Sequence, residues 1–220
     1  MQTDISVSAR GEQTLSEQAY VALRDRIVRL GLPPGAALTE ETLMRELGLG
    51  RTPIREAVKR LALEDLVVIY PRRGTFVSEI NITDLAQISD VRLRLEGHAA
   101  YRAAEHATAD DRAEGKMLVD ELEQLHDGAD GDALMRLDAR IHRHVYRCSR
   151  NPYLESTLDR YLNLSLRIWY LVIDRLPHLE QSVFEHRDLL GAIDQGDATG
   201  ARELAESHVA TFEREIRTVL

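Results

Sequence analysis

Four residues in the C-terminal half combine metal-ligand chemistry with helical spacing. Asp138 and His142 lie four residues apart in a segment with an apolar helical stripe, so their side chains project from one helix face. Two later histidines, His186 and His208, also fall among the apolar positions of their helical segments. Three imidazole nitrogens and one carboxylate oxygen suit Zn, Ni, Mn or another divalent cation. We therefore predict that these four residues bind one metal ion, with positions left open for water or a ligand.

The turn "DQGDATG" between the last two helical segments tests this grouping. His186 lies ten residues before Gly196, and His208 lies eleven residues after Asp197. At about 1.5 Å per residue, both histidines are about 15–17 Å from the turn and should face each other. The alternative is ordinary packing of core histidines. The remaining histidines show no such pattern and are left out of the site: His98, His106, His126, His144 and His178.

An arginine interrupts another apolar stripe. Leu85, Ile88, Leu95 and Ala99 follow a helical repeat, and Arg92 occupies the position between Ile88 and Leu95. A buried guanidinium is costly unless an anion accompanies it. That anion could be an acidic residue of the chain or a bound ligand.

A basic cluster in the N-terminal half predicts nucleic-acid chemistry. In "GRTPIREAVKRL", residues 50–61, Arg51 and Arg55 are placed to pair with guanine O6 and N7 in the major groove. Thr52 could reach a phosphate or a base, and Lys59, one turn further on, a phosphate. Taken alone, such a cluster is more often a solvated cationic face. Its neighbouring elements decide between the two interpretations.

Those neighbours predict a winged helix-turn-helix. Residues 14–30 and the segment "TEETLMRELGLG" form two helices, the second with Thr39 as its N-cap. Thr52 is the expected N-cap of the third helix, with Pro53 at its first position. The β-rich runs "VVIY" and "TFVS" then flank "PRRG" and predict a hairpin. The hairpin tip carries further DNA-contacting candidates: Arg72, Arg73 and Gly74.

The rest of the chain predicts an antiparallel all-α bundle. After residue 82 we find no strand pattern but six helical segments separated by turn signals. Their spans are 83–106, 109–127, 131–149, 152–175, 179–195 and 198–218. The predicted fold is therefore mainly α, with a winged helix-turn-helix DNA-binding domain over 1–80 and a helical, metal-binding domain over 81–220.

Composition supports two domains with different partners. The 220 residues carry a net charge of −9, but residues 1–80 hold 11 basic and 11 acidic residues, which leaves 17 against 26 for the remainder. No apolar run reaches the roughly 18 residues of a membrane span, and "MQTDISVSARGEQ" lacks a signal-peptide core. The single cysteine, Cys148, excludes an intramolecular disulfide and a cysteine zinc finger. We expect a cytoplasmic protein without a membrane partner.

The stretch "EETLMRELGLGRTPIREAVKRLALEDLVVIYPRRGTFV" resembles the winged-helix signature of GntR-type bacterial transcription factors. It departs from that signature at Gly50, where serine is usual, and at Asp65, where glycine is common. The resemblance implies a homodimer that binds a short pseudo-palindromic DNA operator. A single three-helix module offers little contact area for strong specificity, which agrees with a symmetric dimer.

The C-terminal half resembles the FadR C-terminal ligand-binding domain family, called FCD, on the motifs "DARIH", "SRNPYL", "EHRDLLGAIDQGD" and the later His208. Its six predicted helices are typical of the VanR-like branch. The resemblance implies that residues 81–220 bind an effector and form the dimer. It also implies that Asp138, His142, His186 and His208 are metal ligands. It also implies that Arg92, in "VRLRLE", binds a carboxylate effector, with Arg167 a weaker candidate of the same kind.

Together these features predict a transcriptional regulator, more often a repressor, whose operator affinity depends on a small organic acid. The acid would complete the metal's coordination and pair with Arg92, and a rotation between the two winged helices of the dimer would follow. Two alternatives remain. A metal-dependent hydrolase could use the open metal positions, although no base is placed to assist. A partner-binding protein that has lost DNA binding is the other.

Overall fold

The computed structural model describes residues 13–125, 130–176 and 178–220. The chain folds into two compact units. The first comprises Gly31–Ser78 together with the described residues up to Ile27, and the second comprises Val28–Leu30 and the described residues of Glu79–Leu220.

The first unit is the predicted winged helix-turn-helix. Its elements are α1 (Leu15–Val28), β1 (Ala37–Leu38), α2 (Glu40–Leu47), α3 (Arg51–Leu63), β2 (Val67–Tyr70) and β3 (Gly74–Val77). The strands form one antiparallel sheet in the order β1-β3-β2. Leu23, Ile27, Ile54 and Leu61 are fully buried in its core. Strand β1 was not predicted, because two residues are too short to show an alternating pattern.

Helix caps decide where α2 and α3 begin and end. The Thr39 side chain accepts a hydrogen bond from the Thr42 amide, and Gly48 ends α2 with φ +65°, as predicted. The prediction that Thr52 caps α3 is wrong. Gly50 takes the N-cap position with an extended backbone, so α3 begins at Arg51. Pro53 then lies third in the helix, where its missing N–H removes no helical hydrogen bond.

The wing is the hairpin of β2 and β3, in which Tyr70 pairs with Gly74. The Arg73 amide donates to the Tyr70 carbonyl at 3.1 Å and closes the turn. Arg72 has φ +64° and Gly74 has φ +109°. Glycine adopts the second of these conformations without the steric penalty that a side chain would incur, which explains the residue type.

The second unit is the predicted helical bundle. Its helices are α4 (Leu85–His106), α5 (Ala109–Gln124), α6 (Gly131–Cys148), α7 (Pro152–Tyr170), α8 (Leu179–Phe184), α9 (His186–Gln195) and α10 (Ala198–Val219). Helix α4 packs most extensively against α10 and also contacts α6 and α7. No helix among the described residues is long and apolar enough to cross a membrane.

Two predicted helices of the bundle differ from the structure. The segment 152–175 is helical only to Tyr170 and is followed by a separate 3-10 turn, Ile173–Arg175. The segment 179–195 forms two helices, α8 and α9, because the helix is interrupted at Glu185. The described part of the bundle thus has seven α-helices rather than six. The predicted end of 109–127 lies outside the described residues, as does His126.

Candidate metal centre and nucleic-acid interface

The four predicted metal ligands meet in the interior of the second unit. Asp138 and His142 lie on α6, His186 begins α9, and His208 lies on α10. All four are buried, and one ligand atom from each lies within 4.8 Å of the others. Bonds of about 2.0–2.2 Å to a shared ion place ligand atoms no more than about 4.4 Å apart, so a small inward movement would close the set.

The two facing histidines behave as the turn geometry predicts. The rings of His186 and His208 have centroids 4.2 Å apart, and His142 lies 4.8 Å from the first and 5.4 Å from the second. Helix α9 ends at Gln195 and is capped by Gly196, which has φ +76°, and the Asp197 side chain caps α10. This tight turn brings the two helices back against each other with the histidines level.

Each of the three imidazoles is oriented by a hydrogen-bond acceptor at Nδ1. The acceptors are Glu96 Oε2 for His142 at 2.8 Å, the Val183 carbonyl for His186 at 3.0 Å, and Glu185 Oε2 for His208 at 3.2 Å. A ring that donates from Nδ1 presents the lone pair of Nε2. The acceptors therefore leave all three Nε2 atoms available to a common ligand.

Three polar atoms of this group have no hydrogen bond within the described part of the chain: Asp138 Oδ2, His142 Nε2 and His186 Nε2. Buried polar atoms without partners are rare, because each carries an uncompensated desolvation cost. Burial, together with His208 and His142, holds the pKa of His186 well below its usual value. A neutral imidazole is the form that binds a metal. The residues fit a divalent cation.

Arg92 lies beside this group and has an internal anion. Its Nε donates to Glu96 Oε1 at 2.6 Å, and both side chains are nearly inaccessible to solvent. Burial raises the pKa of Glu96, but Arg92 and then His142 outweigh that effect and hold it well below its usual range. Of the two anions that the sequence left open for Arg92, an acidic residue of the chain is therefore present. Arg92 Nη2 still lacks a hydrogen bond to any described residue, and the guanidinium lies 4.8 Å from the Trp169 ring.

The space next to Arg92 is narrow. Its lining comprises Ser89, Arg92, Trp169, His208, Val209, Phe212 and Glu213, and no sphere the size of a water molecule fits inside. Arg167 is buried on α7 but is not among these lining residues. Burial lowers the pKa of Arg167 to about 10, although Glu79 opposes this shift. Of the two predicted effector arginines, Arg92 shares this lining with His208.

The DNA-binding candidates lie on the surface of the first unit. Arg51, Thr52, Arg55 and Lys59 are exposed along α3, and Arg72, Arg73 and Gly74 are exposed on the wing. The opposite face of α3 buries Ile54, Ala57 and Leu61. Exposed long donors therefore start in the first turn of α3, as in a recognition helix.

A fourth basic residue of α3 has a different role. Arg60 pairs with Glu17 at 2.7 Å and Glu64 at 3.3 Å, and its guanidinium lies 3.5 Å from the centre of the Tyr20 ring. These contacts tie α3 to α1. Arg60 is therefore used within the first unit, which supports its omission from the predicted DNA contacts.

Sequence reasoning missed the residues that support the site. Glu96 bridges Arg92 and His142, and Glu185 accepts from His208. The spacing of four between Arg92 and Glu96 was a usable signal, since such pairs meet on one helix face. Glu185 comes from the break between α8 and α9, which the periodicity did not show.

The comparisons with known proteins agree with both units. Residues 15–77 match the family described as bacterial regulatory proteins, gntR family, and residues 87–211 match the FCD domain. An uncharacterized HTH-type transcriptional regulator of Streptomyces ambofaciens is 30% identical over 207 residues, covering 90% of this chain and 83% of that protein. The HTH-type transcriptional repressor RspR of Escherichia coli (strain K12) is 24% identical over 213 residues, covering 94% and 91%.

A solved structure shares the fold over nearly the whole chain. The E. coli McbR/YncC structure superposes with a TM-score of 0.81 at 23% identity, covering 94% of this chain and 99% of that one. The two family matches and the Streptomyces relative show a transcriptional regulator, which contradicts the hydrolase alternative. The chain belongs to the gntR family of bacterial regulatory proteins that carry an FCD domain, and it is a DNA-binding transcriptional regulator rather than an enzyme.

Proposed function

We propose that this regulator is a cytoplasmic homodimeric repressor that binds a pseudo-palindromic operator and changes its operator affinity when a small carboxylate binds beside a divalent metal. The observation that carries the proposal is the buried set of three histidines and one aspartate, in which one ligand atom from each residue lies within 4.8 Å of the others. Three polar atoms of this set lack a hydrogen bond to any described residue. The name of the relative RspR, a repressor, supports repression over activation.

The DNA-binding part of the proposal rests on α3. Arg51 and Arg55 project from its N-terminal turns, which in a recognition helix face the base edges. Lys59 lies one turn further along, where a phosphate contact is expected, and the wing supplies Arg72 and Arg73. A dimer would place two such helices on successive major grooves and so double the contact area.

We expect Arg55→Ala to weaken operator binding by about 1–3 kcal/mol, because it removes a bidentate base contact. Lys59→Ala should weaken binding to all sequences alike and lower the salt slope by about one. Affinities are measured at matched salt on a duplex selected from a random pool by the full-length protein. Arg214→Ala, which removes an exposed charge from α10, is the control. Unchanged affinity in both α3 variants would disprove the assignment of the recognition helix.

The metal part of the proposal assigns one ion to Asp138, His142, His186 and His208. The bound ion would be Zn, Ni or Mn, since imidazole and carboxylate ligands suit all three. When bound, it supplies a positive charge with open coordination positions for an anionic oxygen. Glu96, Glu185 and the Val183 carbonyl hold the three rings in the orientation that presents Nε2.

The effector part of the proposal rests on Arg92, a second positive charge beside the proposed metal ion. Arg92 is 2% exposed, and its Nη2 has no hydrogen bond in the described structure, so a carboxylate oxygen could accept from it. An organic acid, a sugar acid or an amino acid is favoured over a neutral metabolite. Because the lined space is too narrow for water, the ligand must displace side chains such as Trp169 or Glu213. Arg167 stays a candidate only if such a movement reaches it.

The test is a titration of candidate acids against the protein on its selected duplex. We expect one acid to change operator affinity by a coupling of about 1–3 kcal/mol, through unequal binding to the DNA-competent and DNA-incompetent dimer. That coupling should be lost in Arg92→Ala and His208→Ala. Arg92→Lys retains a charge next to Glu96 and serves if the alanine variant does not fold. An acid that acts equally on wild type and variants would show that the effector binds elsewhere.

A further inference from the structure

One acidic residue contacts both arginines of α3 that are proposed to face the base edges. Glu40, the first residue of α2, accepts a hydrogen bond from Arg55 Nε through Oε1 at 2.6 Å. Its other oxygen, Oε2, lies 3.5 Å from Arg51 Nε. A single carboxylate thus uses both oxygens to hold the two long side chains that project from the first turns of α3.

This ion pair contributes little to holding the fold together. The side chains of Arg51, Arg55 and Glu40 are 66%, 55% and 41% exposed. Exposed pairs of this kind stabilise proteins only weakly, since solvent screens them and ordering the side chains costs entropy. A carboxylate on a DNA-facing surface also repels phosphate. Glu40 therefore carries an electrostatic penalty for DNA binding that stability does not explain.

The arginine atoms that contact Glu40 suggest what offsets its repulsion of DNA phosphate. Both arginines approach Glu40 through Nε. The two terminal Nη groups of Arg55 make no hydrogen bond to the described residues and remain available. Paired Nη donors match guanine O6 and N7. Holding Nε also fixes the plane of the guanidinium and removes rotamers in which Arg55 would reach a phosphate instead.

We propose that Glu40 is a positioning residue that sets DNA sequence specificity by orienting Arg55, and secondarily Arg51, for guanine while lowering affinity for other DNA. The inference rests on the proposed reading of DNA by α3. It assigns to a residue of α2 a role that acts through Arg55 and not through a base contact of its own. Its prediction is distinctive, because losing Glu40 should change affinity for specific and non-specific DNA in opposite directions.

The experiment uses the full-length protein with Glu40→Gln. The probes are the duplex selected by wild type and a scrambled duplex of the same composition, at matched salt. We expect affinity for the scrambled duplex to rise about twofold to fivefold, since a phosphate-repelling charge is lost. Affinity for the selected duplex should fall, so that the ratio of the two drops about tenfold. A new selection with Glu40→Gln should give a weaker guanine preference at the affected positions.

Two further variants separate positioning from general charge. Glu41→Gln removes the same charge from the neighbouring residue, which is exposed and has no ion pair to a described residue. It should raise both affinities alike. In an Arg55→Ala background, most of the effect of Glu40→Gln on the specificity ratio should disappear.

The outcomes distinguish the positioning role of Glu40 from the proposed reading of DNA by Arg55. If Arg55→Ala weakens the selected duplex but Glu40→Gln raises both affinities as Glu41→Gln does, Glu40 is only a local anion and the positioning role is overturned. If Arg55→Ala itself has no effect on the selected duplex, the proposed base contact of Arg55 is wrong, and the role of Glu40 fails with it.

Discussion

Replacing Arg92 with alanine should lower the free energy of unfolding of the second unit by about 3–5 kcal/mol, the cost of breaking a buried ion pair. Arg92 and Glu96 are 2% and 3% exposed. Without the guanidinium, the Glu96 carboxylate would be left in the interior with only His142 and Tyr146 near it among the described residues. The loss also removes the contact between Arg92 and the Trp169 ring. Denaturant unfolding followed by tryptophan fluorescence measures the effect, because the chain contains a single tryptophan.

Two variants control this result. Arg94→Ala removes a charge from the exposed side of α4 and should change the unfolding free energy by less than about 0.5 kcal/mol. Arg92→Met combined with Glu96→Leu replaces the pair by apolar side chains and should recover part of the loss, since no buried charge is left alone. A loss below about 1 kcal/mol in Arg92→Ala would show that Arg92 is not what keeps Glu96 charged.

Arg92 also shows how far a sequence can specify such a pair. The apolar repeat of α4 identified Arg92 as a buried cation. Residues that recur with a period of 3.6 lie on one helix face, and an apolar face packs against the core. The same repeat did not predict which acidic residue pairs with Arg92, although Glu96 lies one helical turn away. Acidic residues are abundant in this chain, and only the packing of α4 against α6 shows that Glu96 also reaches His142.

The clustering of the four proposed metal ligands was predictable for a geometric reason. The rise of a helix per residue is constant, so counting residues from the turn at Gly196 placed His186 and His208 level without any knowledge of tertiary structure. What counting could not provide was the set of Nδ1 acceptors. Val183 and Glu185 reach their histidines because α8 ends at Phe184, and no periodic pattern marks that break.

The N-terminal unit was predicted more fully because its signals are local. Thr39, Gly48 and the "PRRG" turn each determine one boundary through their own backbone preferences. The cap of α3 was the exception. Thr52 has the better capping side chain, but Gly50 adopts the extended backbone that starts the helix two residues earlier. Strand β1 was missed because its pairing with β3 alone defines it.

Removal of the metal should lower the melting temperature of the protein by about 5–10 °C. A ligand that binds only the folded state at a hundredfold excess over its dissociation constant stabilises that state by about 2.7 kcal/mol. For a helical unit of this size, that free energy corresponds to the stated shift. The measurement compares protein purified without chelator, the same protein after chelation, and the chelated protein given Zn, Ni or Mn. Elemental analysis of the first sample should find one divalent ion per chain.

The metal-induced shift in melting temperature should depend on the proposed ligands and not on another buried histidine. Asp138→Ala and His186→Ala destabilise the bundle by themselves, so each variant is compared with and without metal rather than with wild type. In both, the metal-induced shift should fall by most of its size. His144 is the matched control, because it lies on the same helix as His142 and is buried, but contacts Arg147 and Cys148 instead. His144→Ala should keep the full shift. If unchelated protein holds no metal and none of the three ions raises the melting temperature, the four residues are packed core side chains, and the effector proposal loses the cation on which it depends.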